Sequence, residues 1–225
     1  MGASRELLPA VVARLGAAAL VLGAFIFAPA GTLRFWPGWL YLLCLLGPMA
    51  AMTVYLLRRD PELLRRRMKM QEKRAAQGRL IKAFGLLYYA AFLLPGFDHR
   101  FGWSEVPAAV IVAADLALLA GYALFAWVLK TNSYAARTIE VEAGQRVITS
   151  GPYAFVRHPM YTAVIVMMTA TPLALASYWA TIPFLFLPLF LALRVRDEEA
   201  MLRGELAGYR AYCAKVRWRL VPGLW

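Results

Sequence analysis

Six apolar stretches alternate with polar and basic segments along the 225-residue chain. Each is close to the roughly 20 residues that a helix, rising about 1.5 Å per residue, needs to cross a bilayer. The pattern predicts transmembrane helices over 9–30, 36–57, 80–97, 106–129, 159–176 and 178–195. The last two are nearly contiguous, which predicts a C-terminal helical hairpin, and Pro172, Pro183 and Pro188 predict kinks within it. The predicted fold class is an all-α integral membrane protein with about six transmembrane helices.

The first stretch has a second interpretation. Arg14, the apolar residues after it and Ala28-Pro29-Ala30 are similar to a cleavable signal peptide. The apolar run also extends back through Val11 and Val12 and is longer than a usual signal core. We therefore expect a retained transmembrane helix.

Composition and charge support a membrane protein and indicate its orientation. Hydrophobic residues make up 61% of the chain and charged residues 17%, where soluble domains carry about 25% charged residues. The net charge of +12 comes from basic residues that flank apolar stretches and do not interleave with aromatic ones, so nucleic-acid binding is not expected. Segment 58–82 holds ten basic and three acidic residues. The positive-inside rule places this segment in the cytosol.

This orientation puts both termini and the 131–158 connection on the cytosolic side, and it leaves Arg34 and Arg100 as the basic residues on the other side. The chain divides into N-terminal transmembrane helices (1–130) and a core of loop, hairpin and tail (131–225). Within 58–82, apolar residues alternate with arginines, which predicts an interfacial helix on anionic lipid headgroups. A substrate-gating role is the alternative. The apolar residues are Leu63, Leu64, Met68 and Met70.

The most polar stretch before a predicted span is GPYAFVRHPMY, residues 151–161. Gly151-Pro152 predicts a turn, and the proline after His158 disfavours a helical conformation for that histidine. A helix should begin at Pro159, and its free N–H groups, together with Arg157, would attract an anion. The alternative is that Arg157 contacts lipid phosphates and His158 only caps the helix.

A second polar region, 194–225, follows the predicted hairpin. Glu198 and Glu199 suit a cationic or hydroxyl-rich ligand, although they are equally consistent with surface ion pairs. Tyr209 and Tyr212 share a helix face and could pack on an aromatic ring or a sulfonium. Asp115 lies in the middle of the fourth span, where an acid is either functional or paired within the bundle. No metal site is expected, since Cys44 and Cys213 are far apart and the two histidines form no cluster.

Together these motifs resemble a known family. GPYAFVRHPMY, a predicted hairpin, then Asp197-Glu198-Glu199, G-Y-x-x-Y and V-R-x-R-x-x-P cover about 132–225 and resemble the isoprenylcysteine carboxyl methyltransferase family, which groups with the phospholipid methyltransferases. The resemblance implies a membrane enzyme that binds S-adenosylmethionine at a cytosolic pocket and takes a lipidic acceptor from the bilayer. The chain has Ala163 where many relatives have glycine. Its short, basic character is similar to the bacterial branch, which implies the bacterial inner (plasma) membrane.

The resemblance also implies roles for individual residues. The cofactor-binding residues would be Gly151, Pro152, Tyr153, His158, Pro159, Tyr161, Glu198, Glu199, Tyr209 and Tyr212. From the chemistry of methyl transfer to a carboxylate, and not from the resemblance, Arg157 or Arg217 could hold the acceptor, and Glu199 is also expected at the reacting centre.

The acceptor and the reaction class have alternatives. A carboxylate such as a prenylcysteine-like group needs no general base, whereas a thiol or a phospholipid amine would need one, for which His158 is the candidate. Sterol-reductase-type NADPH oxidoreductases are similar around RHP and GYRAY but usually have asparagine where Met160 stands. A non-enzymatic scaffold is the third possibility. We expect a monomer.

The predicted orientation is testable by cysteine labelling. In Arg65→Cys, a membrane-impermeant maleimide should react only from the cytosolic side, because segment 58–82 is retained there by its positive charge. Arg34→Cys is the matched control and should react only from the opposite side. Labelling of Arg65→Cys from outside intact cells would contradict the orientation.

Overall fold

The computed structural model describes residues 2–68, 75–135 and 144–225. These ranges are helical and contain no β-strand. A single 3-10 turn, Gly151–Ala154, precedes the second half of the fold. The helices are α1 (Gly2–Ala30), α2 (Trp36–Arg59), α3 (Pro61–Arg67), α4 (Ala75–Phe101), α5 (Ala108–Thr131), α6 (Pro159–Ala174), α7 (Thr181–Phe184), α8 (Leu187–Glu205) and α9 (Tyr209–Lys215).

Three helices are long and apolar enough to cross a membrane: α1 from Glu6, α2 and α5. They correspond to the first, second and fourth predicted spans. The third predicted span lies within α4, and α6 is a shorter apolar helix of 16 residues. The protein is therefore an all-helical integral membrane protein, and the remaining three spans stay predictions.

The sixth predicted span differs from the structure, which divides 178–195 between α7 and α8. Pro188 lies in the first turn of α8 and has no N–H to continue hydrogen bonding from α7. The helix therefore starts again at Leu187. Pro172 was expected to kink its helix and stands two residues before the end of α6.

Helices α5 and α6 approach each other closely at Gly121. A Cβ atom on Gly121 would lie 2.5 Å from Cγ of Met167 and 3.2 Å from the carbonyl oxygen of Ala163, so only glycine fits this contact. Ala163 itself is fully buried. Helix α2 joins the same core, because the Tyr41 hydroxyl lies 3.2 Å from Oγ1 of Thr171 on α6.

The apolar residues of α3 pack on the protein. Leu63 and Leu64 are buried in a cluster with Leu56 of α2 and with Val128 and Leu129 of α5. Neighbouring helices therefore cover these two leucines, and the interfacial position of the segment stays a prediction. Contact of the arginines with anionic lipids stays a prediction, and Met70 lies outside the described residues.

A buried carboxylate fixes the opposite end of the bundle. Asp98, near the end of α4, is fully buried and accepts hydrogen bonds from the Ser104 backbone N–H at 2.6 Å and the Ser104 hydroxyl at 2.7 Å. It also accepts a hydrogen bond from the hydroxyl of Ser177, in the turn after α6. The turn is strained at Ala176, a non-glycine residue with φ of 55°. One carboxylate thus ties the α6–α7 turn to the end of α4.

Removing this carboxylate should destabilise the whole bundle. In Asp98→Ala, the buried Ser177 hydroxyl loses its acceptor, at a cost of about 2–4 kcal/mol in unfolding free energy. Thermal unfolding in detergent should show a clearly lower Tm. The matched control is Glu105→Ala, which removes an exposed carboxylate close by in the chain and should leave the Tm unchanged. Equal Tm values for both variants would contradict a structural role for Asp98.

Candidate functional site

The RHP loop, residues 156–159, is held by the C-terminal segment. The backbone N–H of Arg157 donates to the carbonyl of Trp218 at 2.9 Å, and that of His158 donates to the carbonyl of Arg219, also at 2.9 Å. These N–H groups lie outside any helix because the residue before a proline is kept out of the helical region. His158, which precedes Pro159, accordingly has φ of −125°. The helix then begins at Pro159, as predicted.

Glu199 on α8 is the electrostatic centre of this region. Its side chain is only 3% exposed, yet Oε1 lies 2.7 Å from Nε of Arg157 and 3.4 Å from Nε2 of His158. Its other oxygen, Oε2, lies 3.1 Å from Nη2 of Arg203 and 3.1 Å from Nε of Arg219. One carboxylate therefore joins α8, the RHP loop and the C-terminal segment.

These partners determine the ionisation of Glu199. Burial alone would raise the pKa of its carboxyl group, but the hydrogen bond to His158 and the charges of Arg157 and Arg219 outweigh burial and lower the pKa to about 2. Glu199 is thus a carboxylate at any physiological pH, with its oxygens already engaged by cations.

Glu198 has different surroundings. The Tyr161 hydroxyl donates to Oε2 of Glu198 at 2.6 Å and accepts a hydrogen bond from Nε of Arg194 at 2.9 Å. Nδ1 of His158 lies 3.8 Å from the other carboxylate oxygen, and the Glu198 side chain is 23% exposed. Glu198 therefore keeps a partly accessible carboxylate above the first turn of α6.

Tyrosine hydroxyls connect the remaining walls. The Tyr212 hydroxyl on α9 donates to the Tyr153 carbonyl at 2.8 Å, and Nδ2 of Asn132, just after α5, donates to the Tyr153 hydroxyl at 2.8 Å. Burial raises the pKa of Tyr153 to about 12, and it also raises the pKa of Tyr212. Both phenols therefore stay protonated and act as neutral hydrogen-bonding groups.

These elements enclose a cleft with a cavity volume of about 100 Å³. One wall is aromatic and polar and the other is apolar, with Met201, Leu202 and Leu206. The Tyr209 hydroxyl is buried, and among the described residues it has no hydrogen-bond partner. An unsatisfied buried hydroxyl in the lining of a cleft is the kind of group that a bound ligand satisfies.

Most of the predicted site residues come together at this cleft. The lining includes Tyr153, Arg157, His158, Pro159, Tyr161, Glu198, Tyr209 and Tyr212. Gly151, Pro152, Glu199 and Arg217 are not part of it. Gly151 has φ of +57°, and a Cβ there would lie 2.8 Å from Oγ1 of Thr131, so this glycine lets the loop cross the end of α5. Arg217 is exposed, and Arg219, two residues later, contacts Glu199 instead.

Sequence reasoning missed part of the lining. Asn132 and Tyr134 follow α5, and residues 145–148 form another edge of the cleft. Met160 is the x of the H-P-x-Y motif and also lines the cleft. An asparagine immediately after an apolar span was a usable signal, because such a residue lies at the water interface. Residues 145–148 carry no comparable pattern.

One similar protein of known activity is a reductase. A stretch of 89 residues is 31% identical to the Delta(14)-sterol reductase TM7SF2 of Mus musculus. The match covers 38% of this chain but 21% of the reductase, so the chain spans about a fifth of that relative's length.

A family model matches part of the chain. Residues 111–204 match the isoprenylcysteine carboxyl methyltransferase (ICMT) family, a segment that begins in α5 and includes the RHP loop, α6 and nearly all of α8. It contains Tyr153, His158, Tyr161 and Glu198 of the cleft as well as the central carboxylate Glu199. Through residues 111–204, less than half of its length, this integral membrane protein is similar to the isoprenylcysteine carboxyl methyltransferase family.

Proposed function

We propose that the protein is a membrane methyltransferase that uses S-adenosylmethionine to methylate a lipidic acceptor, and that the acceptor group is a carboxylate. The observation that carries this proposal is the cleft, where Tyr153, His158 and Tyr161 of the family segment meet Glu198 beside the unpartnered hydroxyl of Tyr209. The match of 111–204 to the isoprenylcysteine carboxyl methyltransferase family supports methyl transfer as the reaction class. The cytosolic orientation of the cleft and a bacterial inner membrane belong to the same proposal.

The residues of the cleft fit S-adenosylmethionine chemically. Tyrosine rings offer faces that attract an aromatic base or a sulfonium, and Met201 and Leu202 supply an apolar wall. The partly exposed carboxylate of Glu198 can accept hydrogen bonds from ribose hydroxyls or pair with an amino group. The buried Tyr209 hydroxyl would gain a partner. We assign cofactor contact to Glu198 and Tyr209 first.

When bound, this cofactor supplies a methyl group on an activated sulfonium, which an acceptor carboxylate takes directly. A carboxylate is already ionised at neutral pH, so the chain needs no general base. The protein's contributions are then orientation and the exclusion of water. The surroundings of His158 are consistent with a reaction that needs no general base. The histidine, which is part of the RHP loop, faces the carboxylates of Glu198 and Glu199.

We assign Glu199 and Arg157 to positioning. Nε of Arg157 is paired with Glu199, and its Nη1 donates to the carbonyl of Val216 at 3.2 Å, so its guanidinium is used in holding the loop to the C-terminal segment. Glu199 in turn binds cations from three segments. Neither side chain could therefore orient an acceptor without losing the contacts that hold the RHP loop to the C-terminal segment.

A membrane NADPH oxidoreductase is the second candidate, and the similarity to the mouse sterol reductase favours it. The two functions share a need for a nucleotide-sized site with aromatic and carboxylate groups. They differ in the charge of the ligand, because NADPH carries several phosphate charges and S-adenosylmethionine carries none. The lining of the cleft carries both the partly exposed carboxylate of Glu198 and the exposed Arg146, so a binding experiment has to decide between the two ligands.

Cofactor binding distinguishes the two functions. Calorimetry on the purified full chain in detergent should show binding of S-adenosylmethionine and none of NADPH. Glu198→Gln should weaken that binding at least tenfold by removing a charge-assisted acceptor, with the Tm preserved. Glu205→Gln changes an exposed carboxylate on the same helix and should bind normally. Preference for NADPH would overturn the proposal, and methyl-labelled cofactor with mass spectrometry of the lipids would identify the acceptor.

The positioning role of Glu199 predicts a pH-dependent stability difference. Its folded pKa of about 2 lies below the ordinary glutamate value, so its contribution is complete above about pH 5 and is lost as the pH falls towards 2. Glu199→Gln should lower the unfolding free energy at pH 7 on the order of 3 kcal/mol. The Tm gap to the natural chain should then shrink between pH 5 and pH 3.

The control for this experiment is again Glu205→Gln, which should show no gap at any pH. Glu199→Gln should lose stability and cofactor affinity together, whereas Glu198→Gln should lose affinity alone. A Tm gap that stays constant down to pH 3 would contradict the ionised role of Glu199.

A further inference from the structure

Two of the three arginines of α3 turn towards the chain that leaves α5. Arg66 and Arg67 are half-buried, whereas Arg65 is exposed and its Nη1 lies 2.7 Å from Oε1 of Glu62 on the same helix. We call residues 132–135, which come directly after α5, the post-α5 segment. Its members that line the cleft are Asn132, Tyr134 and Ala135. Contacts of α3 with this segment therefore bear on the wall of the cleft.

Each of the two half-buried arginines donates a hydrogen bond to a backbone carbonyl of the post-α5 segment. Nη1 of Arg66 donates to the carbonyl of Ser133 at 2.9 Å, and its guanidinium lies 5.8 Å from the centre of the Tyr134 ring. Nη1 of Arg67 donates to the carbonyl of Ala135 at 2.8 Å. Hydrogen bonds from a charged donor are stronger than those between neutral groups. The last turn of α3 thus holds the segment at two points.

Arg67 also contacts the two helices on either side of this segment. Its guanidinium lies 4.9 Å from the centre of the Phe125 ring on α5. Its Nη1 lies 3.6 Å from Sδ of Met160 in the first turn of α6, and Met160 lines the cleft. One side chain therefore touches α5, the post-α5 segment and α6, at the place where they border the cleft.

Helix α3 is itself fixed by contacts that do not involve these two arginines. Leu63 and Leu64 are buried against α2 and α5. At the start of the helix, the Asp60 side chain accepts a hydrogen bond from the Leu63 N–H at 2.9 Å. Just after its end, Nη1 of Arg14 on α1 donates to the carbonyl of Met68 at 2.7 Å. Because α3 is held at both ends, replacing the two arginines should leave the helix in place and release only what they hold.

The post-α5 segment transmits its position to the cleft through an asparagine. The backbone N–H of Ala135 donates to the carbonyl of Asn132 at 3.2 Å, and that of Tyr134 donates to Oδ1 of Asn132 at 2.9 Å. The amide group of Asn132 is thereby oriented, and its Nδ2 donates to the Tyr153 hydroxyl at 2.8 Å. The arginines of α3 are therefore linked to Tyr153 by a continuous series of hydrogen bonds and one short stretch of backbone.

We propose that Arg66 and Arg67 are positioning residues of the cleft, which clamp the post-α5 segment to α3 and so hold Tyr153 in the arrangement that receives the methyl donor. This proposal deepens the proposed function and rests on it for the identity of the ligand. It assigns part of the site to a helix that precedes residues 111–204, the segment that is similar to the methyltransferase family. A guanidinium suits a clamp because its several N–H groups lie in one rigid plane.

The clamp is tested without any ligand by hydrogen exchange on the purified full chain in detergent. In the double variant Arg66→Met and Arg67→Met, peptides that cover the post-α5 segment should exchange about tenfold faster, because methionine keeps an unbranched stem but has no group to donate. Peptides around Asp98, at the opposite end of the bundle, should exchange as in the natural chain. Arg65→Met is the matched control and should leave exchange in the post-α5 segment unchanged.

The effect on the cleft is tested by calorimetry with S-adenosylmethionine. The double methionine variant should bind it about tenfold more weakly, since Tyr153 is no longer held in one arrangement. The double variant Arg66→Lys and Arg67→Lys keeps a charged donor at each position and should recover most of the affinity. A loss that came only from disturbed packing of the stems would be equal in the two double variants. Arg65→Met should bind as the natural chain does.

The outcomes separate the clamp from the proposed function. Unchanged exchange in the post-α5 segment, or faster exchange spread evenly over all helices, would overturn the clamp. Faster local exchange with unchanged affinity would overturn its role at the cleft. A natural chain that binds no S-adenosylmethionine would overturn the proposed function, while the exchange result still supports or overturns the clamp. The single variants Arg66→Met and Arg67→Met each remove one carbonyl contact, should each show a smaller increase in exchange, and decide the question if the double variant does not fold.

Discussion

The buried carboxylate of Glu199 is the interaction on which the cleft depends. Around it lie the side chains of Arg157, Arg203 and Arg219 and the ring of His158, contributed by the RHP loop, by α8 and by the C-terminal segment. Cations gathered this closely would repel one another without an anion between them. Because the carboxylate is shared, the three segments can pack as one body, and the backbone pairing of 157–158 with 218–219 follows from the same arrangement. Local propensity alone would not bring these segments together.

How far the sequence predicts this structure depends on the range of the interactions. The start of α6 was predictable from His158-Pro159, because proline acts on its immediate neighbours. The two adjacent glutamates were recognised as a pair, yet their roles differ: Glu199 faces inwards to cations and Glu198 faces the cleft. Only the three-dimensional packing distinguishes them, since both are carboxylates one residue apart. The sequence likewise did not show that Arg219, two residues after Arg217, would contact Glu199.

The apolar pattern was similarly informative about where helices lie and uninformative about what covers them. It predicted α1, α2 and α5 correctly as apolar spans, because hydrophobic length is a local property. It could not show that Leu63 and Leu64 are covered by α2 and α5, since a leucine facing a helix and a leucine facing lipid have the same transfer energy. The division of the last span at Pro188 lies between these cases, because a proline disturbs a helix but does not dictate whether it bends or stops.

Asp98 has a consequence for how the family-like segment depends on the rest of the chain. The family segment begins at residue 111, yet its α6–α7 turn is anchored through Ser177 to a carboxylate on α4, outside the segment. Gly121 and Tyr41 add further dependence on helices that precede the RHP loop. Segment 111–204 cannot therefore be joined to an arbitrary set of preceding helices without losing this anchor. A chimaera that exchanges the N-terminal helices must carry an acceptor for that serine, at the opposite end of the bundle from the cleft.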